Sequence, residues 1–118
     1  MTSHIQLGKD GEKLAAEFLL KKGYEILHRN WRYSFYEIDI IARRDKFLHI
    51  IEVKTLHASS PGYPEDSVTK RKFKRLLNAA DEFLYQHPEY RHVQYDILSI
   101  TIRDGQPEFF LIEDIYFH

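Results

Sequence analysis

The chain lacks cysteine entirely and has a single methionine and a single tryptophan among its 118 residues. Without cysteine, neither a disulfide framework nor a zinc site built on thiolates can form. No apolar stretch approaches the roughly 20 residues that a membrane-spanning helix needs, and residues 1–13 lack the apolar centre of a signal peptide. We therefore expect a cytoplasmic protein with no membrane partner.

An excess of charge of one sign is also missing. Seventeen Lys and Arg residues stand against eighteen Asp and Glu residues, which gives a formal net charge of -1. A protein that only coats nucleic acid is normally strongly basic, so this balance disfavours that class. A catalytic nuclease is less constrained, because its metal site itself requires carboxylates, and its nucleic-acid surface would then be a local basic patch.

The chain contains enough apolar material for one folded domain that spans residues 1–118. Hydrophobic residues make up 43% and aromatic residues 14% of the sequence, which is typical of a globular protein and not of a disordered segment. The length suits a single core of modest size. Since no repeat, low-complexity tract or linker interrupts the sequence, we expect no second domain.

Hydrophobic periodicity predicts the element order α-β-β-β-α-β-β. A first helix over residues 7–22 ends at Gly23, and a second helix over residues 68–86 has Ser67 or Asp66 as its N-cap. Five strands are predicted at residues 24–33, 35–43, 47–55, 92–102 and 109–116. The first three would form an antiparallel meander, and residues 57–66 would form a loop. This order predicts an α/β domain in which helices pack on a mixed sheet.

Charged side chains interrupt two of the apolar strands. Asp39 lies in the second strand, and Glu52 and Lys54 lie in the third, with twelve residues between Asp39 and Glu52. Charges at such positions are costly unless they bind something. Side chains alternate along a strand, so Glu52 and Lys54 should share a face, as should Glu37 and Asp39.

This pattern suits phosphodiester chemistry. Mg²⁺ prefers hard oxygen ligands, and Asp39 and Glu52 would supply them, while Lys54 would assist the attacking water or stabilise the transition state. Glu37 is interpreted as a neighbour that tunes the site. The pattern also fits a plain cross-strand salt bridge on a solvated sheet face, so the residues alone leave both explanations open.

Further candidates lie on the two helices and the first strand. Glu12 is at the margin of the first helix's apolar stripe, where it either joins the site or only complements the helix dipole. A basic run occupies residues 70–75, at the start of the second helix, where free N–H groups also favour phosphate. Such a run is also typical of a solvated helix face. The predicted nucleic-acid contacts are Lys70, Arg71, Lys74 and Arg32.

Several segments of the chain, taken in order, resemble one protein family over nearly the whole length. They are Gly11-Glu12-x-x-Ala15-Ala16, Gly23-Tyr24-x-Ile26-Leu27-x-Arg29-Asn30-Trp31-Arg32, Glu37-Ile38-Asp39-Ile40-Ile41-Ala42, Glu52-Val53-Lys54-Thr55, Gly62-Tyr63-Pro64-Glu65-Asp66-Ser67-Val68, Lys70, Ala79-Ala80 and Tyr95-Asp96-Ile97. The chain is therefore similar to the YraN-like proteins. These are small bacterial proteins assigned by resemblance to the PD-(D/E)xK nuclease superfamily, near the Holliday-junction resolvases.

The resemblance implies a restriction-endonuclease-like fold with Asp39, Glu52 and Lys54 in the nuclease positions. It also implies that Glu12 is a metal ligand, because related resolvases place a glutamate from the first helix at the metal site. Junction-cutting relatives often act as dimers, since two symmetric strands need two sites. A homodimer is therefore an expectation that rests on analogy of fold alone.

The combined prediction is a Mg²⁺- or Mn²⁺-dependent endonuclease that acts on branched or structured DNA. Two positions depart from the family pattern: Tyr36 stands where glycine is usual, and Leu56 stands where arginine is frequent. A side chain at Tyr36 would narrow access to the site or pack against the sheet. These departures and the near-neutral charge keep a second hypothesis open, a nucleic-acid-binding module of the same fold with little or no activity. A third hypothesis is a protein-interaction subunit whose carboxylates are vestigial.

Overall fold

A computed structural model describes the backbone of residues 4–57 and 70–115, and the side chains of residues 11–57 and 70–115. Within these residues the predicted α/β class and element order are confirmed. The elements are α1 (His4–Lys21), β1 (Glu25–Tyr33), β2 (Tyr36–Arg44), β3 (Phe47–His57), α2 (Lys70–Gln86), β4 (Val93–Arg103) and β5 (Gln106–Ile112). The predicted N-cap of the second helix and residues 58–66 of the predicted loop lie outside the described residues.

The strands form one mixed sheet with the order β1-β2-β3-β4-β5. The predicted antiparallel meander of β1, β2 and β3 is confirmed. β4 lies parallel to β3, from Leu48↔Val93 to His57↔Ile102, and β5 returns antiparallel to β4. Parallel neighbours cannot be joined by a hairpin, so the connection that contains α2 links β3 to β4.

The two helices cover opposite faces of the sheet. The apolar stripe of α2 packs on strand residues that include Ile38 and Ile41, while α1 packs through Ala15 and Leu19 on strand residues that include Ile40. A fully buried Leu or Ile side chain contributes about 1.5–3 kcal/mol, so these two cores hold the sheet between the helices. No helix among the described residues is long and apolar enough to cross a membrane.

Gly23 ends α1 in the way that the sequence predicts. Its φ is +91°, a conformation that glycine adopts without strain. The Gly23 N–H donates to the Leu20 carbonyl at 3.1 Å, and the Tyr24 N–H donates to the Leu19 carbonyl at 3.0 Å. This pair of bonds is the Schellman arrangement, and it lets β1 begin two residues later.

Strand β2 loses its regular alternation at Asp39. Ile38 and Ile41 belong to the core beneath α2, whereas Ile40 belongs to the core beneath α1. The paired positions of β2 and β3 run from Arg44 only as far as Ile40, and beyond that point Asp39 Oδ2 accepts the Val53 N–H at 2.8 Å. A carboxylate therefore satisfies a donor that a backbone carbonyl would otherwise satisfy. The strict alternation assumed from the sequence does not hold here.

Candidate functional site

Three carboxylates meet beside the irregular part of β2. Glu12 of α1 and Glu37 and Asp39 of β2 each present an oxygen, and these oxygens all lie within 4.8 Å of one another. We call these three residues the carboxylate cluster. Two of them, Glu12 and Asp39, are predicted metal ligands, while the structure adds Glu37, which the sequence analysis treats as a neighbour. Oxygen ligands at this spacing suit a hard divalent cation.

Asn30 orients Glu12 within the carboxylate cluster. The Asn30 side-chain amide donates to Glu12 Oε2 at 3.0 Å. Asn30 adopts a φ of +53° in β1, a left-handed conformation that asparagine tolerates better than most residues. The sequence analysis names Asn30 only within a segment that resembles the family. Its contact with Glu12 could not be predicted, because residues 18 positions apart leave no local pattern.

Asp39 is the most strongly perturbed acid of the site. Burial is the largest cause that raises its pKa to about 7, and the neighbouring charge of Glu52 is the next largest. Glu12 and Glu37 raise the pKa further, and the hydrogen bond from the Val53 N–H lowers it. Glu52 is not a member of the carboxylate cluster, but its charge acts directly on Asp39.

Glu52 lies between negative and positive charge. Burial raises its pKa, the lysines Lys72 and Lys54 oppose that rise, and Glu37 adds to it. Lys54, which strand alternation predicts on the same face as Glu52, therefore acts electrostatically on it in the folded protein. Four acids nevertheless lie close together, which concentrates negative charge of the kind that a bound divalent cation offsets.

A pocket opens between the β1–β2 hairpin, β3 and α2. Positive charge at the pocket comes from Lys72 and Arg75, which are three positions apart and therefore neighbours on the helix surface. Tyr36 both packs against the core beneath α2 and lines the pocket. The lining residues are Phe35, Tyr36, Glu37, Glu52, Lys72, Arg75 and Leu76.

The predicted nucleic-acid contacts lie at different distances from this pocket. Lys70, Arg71 and Lys74 are exposed on α2 and are not among the residues that line it. Arg32 lies closer, since its guanidinium is 3.5 Å from Glu37 of the carboxylate cluster. Helical periodicity, and not the density of basic residues along the run, selects which cations of α2 face the pocket.

Gly11 allows α1 to approach β3 next to Glu12. A Cβ atom at Gly11 would overlap Oγ1 of Thr55 and also lie 3.4 Å from its Cβ. A methyl group there must displace either the Thr55 side chain or the helix. The site thus depends on the absence of a side chain at Gly11, because Glu12 is the next residue of the same helix turn.

We predict that Gly11→Ala destabilises the protein when Thr55 is present and stabilises it when position 55 is alanine. With Thr55 present, overpacking costs about 1–3 kcal/mol, which exceeds the gain of about 1 kcal/mol from replacing a helical glycine by alanine. In a Thr55→Ala background the overlap disappears, so Gly11→Ala should stabilise the protein by about 1 kcal/mol. Urea denaturation of the four proteins measures both values, and additive effects would contradict the contact.

These observations define a class: an α/β protein whose five-stranded mixed sheet lies between two helices and carries a carboxylate cluster where β2 becomes irregular. The chain belongs to the uncharacterised protein family UPF0102, whose family model matches residues 11–100. The family resemblance seen in the sequence is thereby confirmed, and the matched range contains all residues of the candidate site.

Relatives of similar length extend this match over the whole chain. A UPF0102 protein of Flavobacterium psychrophilum is 37% identical over 118 residues, which cover 100% of this chain and 99% of the relative. A UPF0102 protein of Phocaeicola vulgatus is 39% identical over 115 residues, which cover 98% of this chain and 93% of the relative. A UPF0102 protein of Syntrophomonas wolfei is 39% identical over 102 residues, with 86% and 89% covered.

Proposed function

We propose that this protein is a metal-dependent endonuclease that hydrolyses phosphodiester bonds in branched or structured DNA. The observation that carries the proposal is the convergence of Glu12, Glu37 and Asp39, with oxygens within 4.8 Å of one another. Glu52 acts electrostatically on Asp39 of this cluster, and Lys54 acts in turn on Glu52. Acids and a lysine so arranged match the requirements of phosphodiester hydrolysis better than those of a solvated salt bridge.

The residues present fit Mg²⁺ or Mn²⁺ as the cofactor. Asp39, Glu52 and Glu12 would hold the cation, and Glu37 joins them as a further oxygen donor. The raised pKa of Asp39, about 7, reflects burial and crowded negative charge. A bound divalent cation would offset that charge and stabilise the ionised form of the buried carboxylate. When bound, such a cation lowers the pKa of water and neutralises charge on the phosphate.

The chain's own residues account for the rest of the proposed chemistry. Lys54, beside Glu52, assists the attacking water or stabilises negative charge as it develops on the scissile phosphate. Lys72 and Arg75 line the adjacent pocket and hold flanking backbone phosphates. Asn30 keeps the Glu12 carboxylate oriented through the hydrogen bond described above.

The proposal predicts that Lys54→Ala lowers the rate of DNA cleavage about 10²- to 10⁴-fold, because a side chain positioned to act on the attacking water contributes that much. The assay incubates parent and variant with branched, flapped and linear DNA in Mg²⁺ or Mn²⁺. Lys46→Ala is the matched control, since Lys46 is an exposed lysine in the β2–β3 turn. The parent and the control should cut equally, and a chelator should stop both.

Two results would count against the enzyme. The first is that the parent cuts no substrate in either metal. The second is that Lys54→Ala cuts as fast as Lys46→Ala. Binding of DNA without cleavage would favour the second hypothesis, a nucleic-acid-binding module that keeps the fold. Neither binding nor cleavage would favour the protein-interaction subunit.

A further inference from the structure

Phe35 is the most exposed of the large apolar side chains that the structure describes. Its side chain is 99% exposed at the tip of the β1–β2 hairpin, where Ser34 makes the turn with a φ of +55°. Single exposed apolar residues are common and need no explanation. Phe35 differs from such residues because it also lines the pocket that contains Glu37 and Glu52.

The surroundings of Phe35 combine an aromatic face with positive charge. Lys72 and Arg75 line the same pocket, and Arg32 lies three positions before Phe35 in the hairpin. Proteins that bind single-stranded nucleic acid pair these two features, because an aromatic ring stacks on a base while cations hold the backbone.

Two other aromatic residues of this hairpin, Trp31 and Tyr36, pack against the core. The Trp31 ring meets the Phe83 ring at right angles, with 5.4 Å between centroids, and Tyr36 packs against the core beneath α2. Tyr33 is 45% exposed. Phe35 thus offers the most accessible ring beside the site.

A base presents a free face only where the duplex stops. Within a duplex each base is stacked on its neighbours, and taking one out costs a few kcal/mol, least where the nucleotide is already unpaired. A ring at the mouth of the pocket therefore favours DNA with a flap, a gap or a branch over continuous duplex.

We propose that Phe35 stacks on an unpaired base next to the phosphate at the carboxylate cluster, so that the substrate is DNA in which duplex meets single strand. This proposal rests on the proposed nuclease function, because that function places the scissile phosphate at the carboxylate cluster. Lys72 and Arg75 hold the phosphates that flank the stacked base. Phe35 acts as a specificity-determining residue and takes no part in bond cleavage.

Fluorescence reports stacking independently of cleavage. In a Lys54→Ala background with Mg²⁺, Phe35→Trp adds an indole at the hairpin tip, and single-stranded oligothymidylate should quench it. The Lys54→Ala protein alone gives the background from Trp31. Tyr85→Trp is the matched control, because Tyr85 is 83% exposed but lies about 20 Å along α2 from Lys72. Its added fluorescence should not be quenched.

Binding supplies the second measurement. Phe35→Ala should weaken binding to flapped DNA about tenfold, the usual effect of removing one stacking ring, and leave binding to fully paired duplex of equal length unchanged. Phe35→Tyr should bind flapped DNA like the parent. An equal loss on both substrates would overturn the proposal, as would equal quenching of the two added tryptophans or none.

The outcomes separate this proposal from the nuclease function. Quenching at position 35 in a protein that never cuts DNA supports stacking and rejects the enzyme. Cleavage by the parent without quenching at position 35 supports the enzyme and rejects stacking. Self-association of the parent that Phe35→Ala abolishes, again without quenching, would assign Phe35 to a contact between two copies and overturn the proposal.

Discussion

Asp39→Asn should slow DNA cleavage about 10³-fold and at the same time stabilise the metal-free protein at pH 8. The variant keeps an oxygen that can accept the Val53 N–H, which donates to Asp39 at 2.8 Å, but removes a crowded negative charge. Loss of a metal ligand forfeits several kcal/mol of transition-state stabilisation, or about 10³-fold in rate. The expected gain in the free energy of unfolding at pH 8 is about 2–4 kcal/mol.

The direction of the stability change follows from the two pKa values of Asp39. In the folded protein burial and Glu52 raise the pKa to about 7, whereas the unfolded value is about 4. Between these values the folded state keeps a proton that the unfolded state has released. The stabilisation is fully present below about pH 4 and is lost as pH rises through about 7. Asparagine does not titrate and escapes this loss.

Urea denaturation with a chelator at pH 5 and pH 8 measures the effect. The parent should lose stability between the two pH values, and Asp39→Asn should lose much less. Asp45→Asn is the matched control, because Asp45 is an exposed acid in the β2–β3 turn with a φ of +58° that asparagine also tolerates. A variant less stable than the parent at pH 8 would contradict the crowding of charge.

Mn²⁺ extends the same prediction. A ligand that binds only the folded state stabilises it in proportion to the logarithm of its concentration. Mn²⁺ should therefore raise the stability of the parent at pH 8 and have a smaller effect at pH 5, where Asp39 is protonated. Asp39→Asn should gain little at either pH. An equal gain by both proteins would remove Asp39 from the metal site.

Asp96→Ala should lower the free energy of unfolding by about 3–5 kcal/mol, because three hydrogen-bonding groups lose their partner at about 1–3 kcal/mol each where they are buried. Asp96 is 1% exposed, and its Oδ2 lies 2.7 Å from His49 Nδ1. Its Oδ1 accepts the Gln94 amide at 3.1 Å and the Asp114 N–H at 2.9 Å. The alanine variant would leave the buried His49 ring and the part-buried Gln94 and Asp114 donors without this partner.

Asp96 also fixes the chain after β5. The Ile115 N–H donates to the Tyr95 carbonyl at 2.7 Å, next to the bond between Asp114 and Asp96. Thermal and urea denaturation should therefore show a large loss in Asp96→Ala and a smaller one in Asp96→Asn, which retains an acceptor. Asp81→Ala removes an exposed acid of α2 and serves as the control; equal losses in Asp96→Ala and Asp81→Ala would contradict the structural role.

Local patterns were sufficient to predict most of the fold. The apolar stripe of α2 predicted a buried face made of Phe73, Leu76, Leu77, Ala80, Phe83 and Leu84. Four of these are buried, and Leu77 and Leu84 pack partly buried against the same core. Gly23 predicted the end of α1, and short turns predicted the meander. These features depend on residues a few positions apart, whose spacing and backbone preferences are visible in the chain. Strand β5 begins three residues earlier and ends four residues earlier than predicted. The ends of a strand depend on its pairing with the neighbouring strand, which the sequence of the strand does not show.

The membership of the site depended on contacts between distant residues. Asp39 could be singled out because a charge in an apolar strand is unusual, and strand alternation predicted Glu37 on the same face, but the meeting of both with Glu12 of α1 is visible only in the folded structure. Asn30 and Asp96 owe their roles to partners 18 residues away. The sequence thus established the order of elements and the chemical types of the candidate ligands. The tertiary structure decided which carboxylates meet, because residues far apart in the chain come close together only when the helices pack on the sheet.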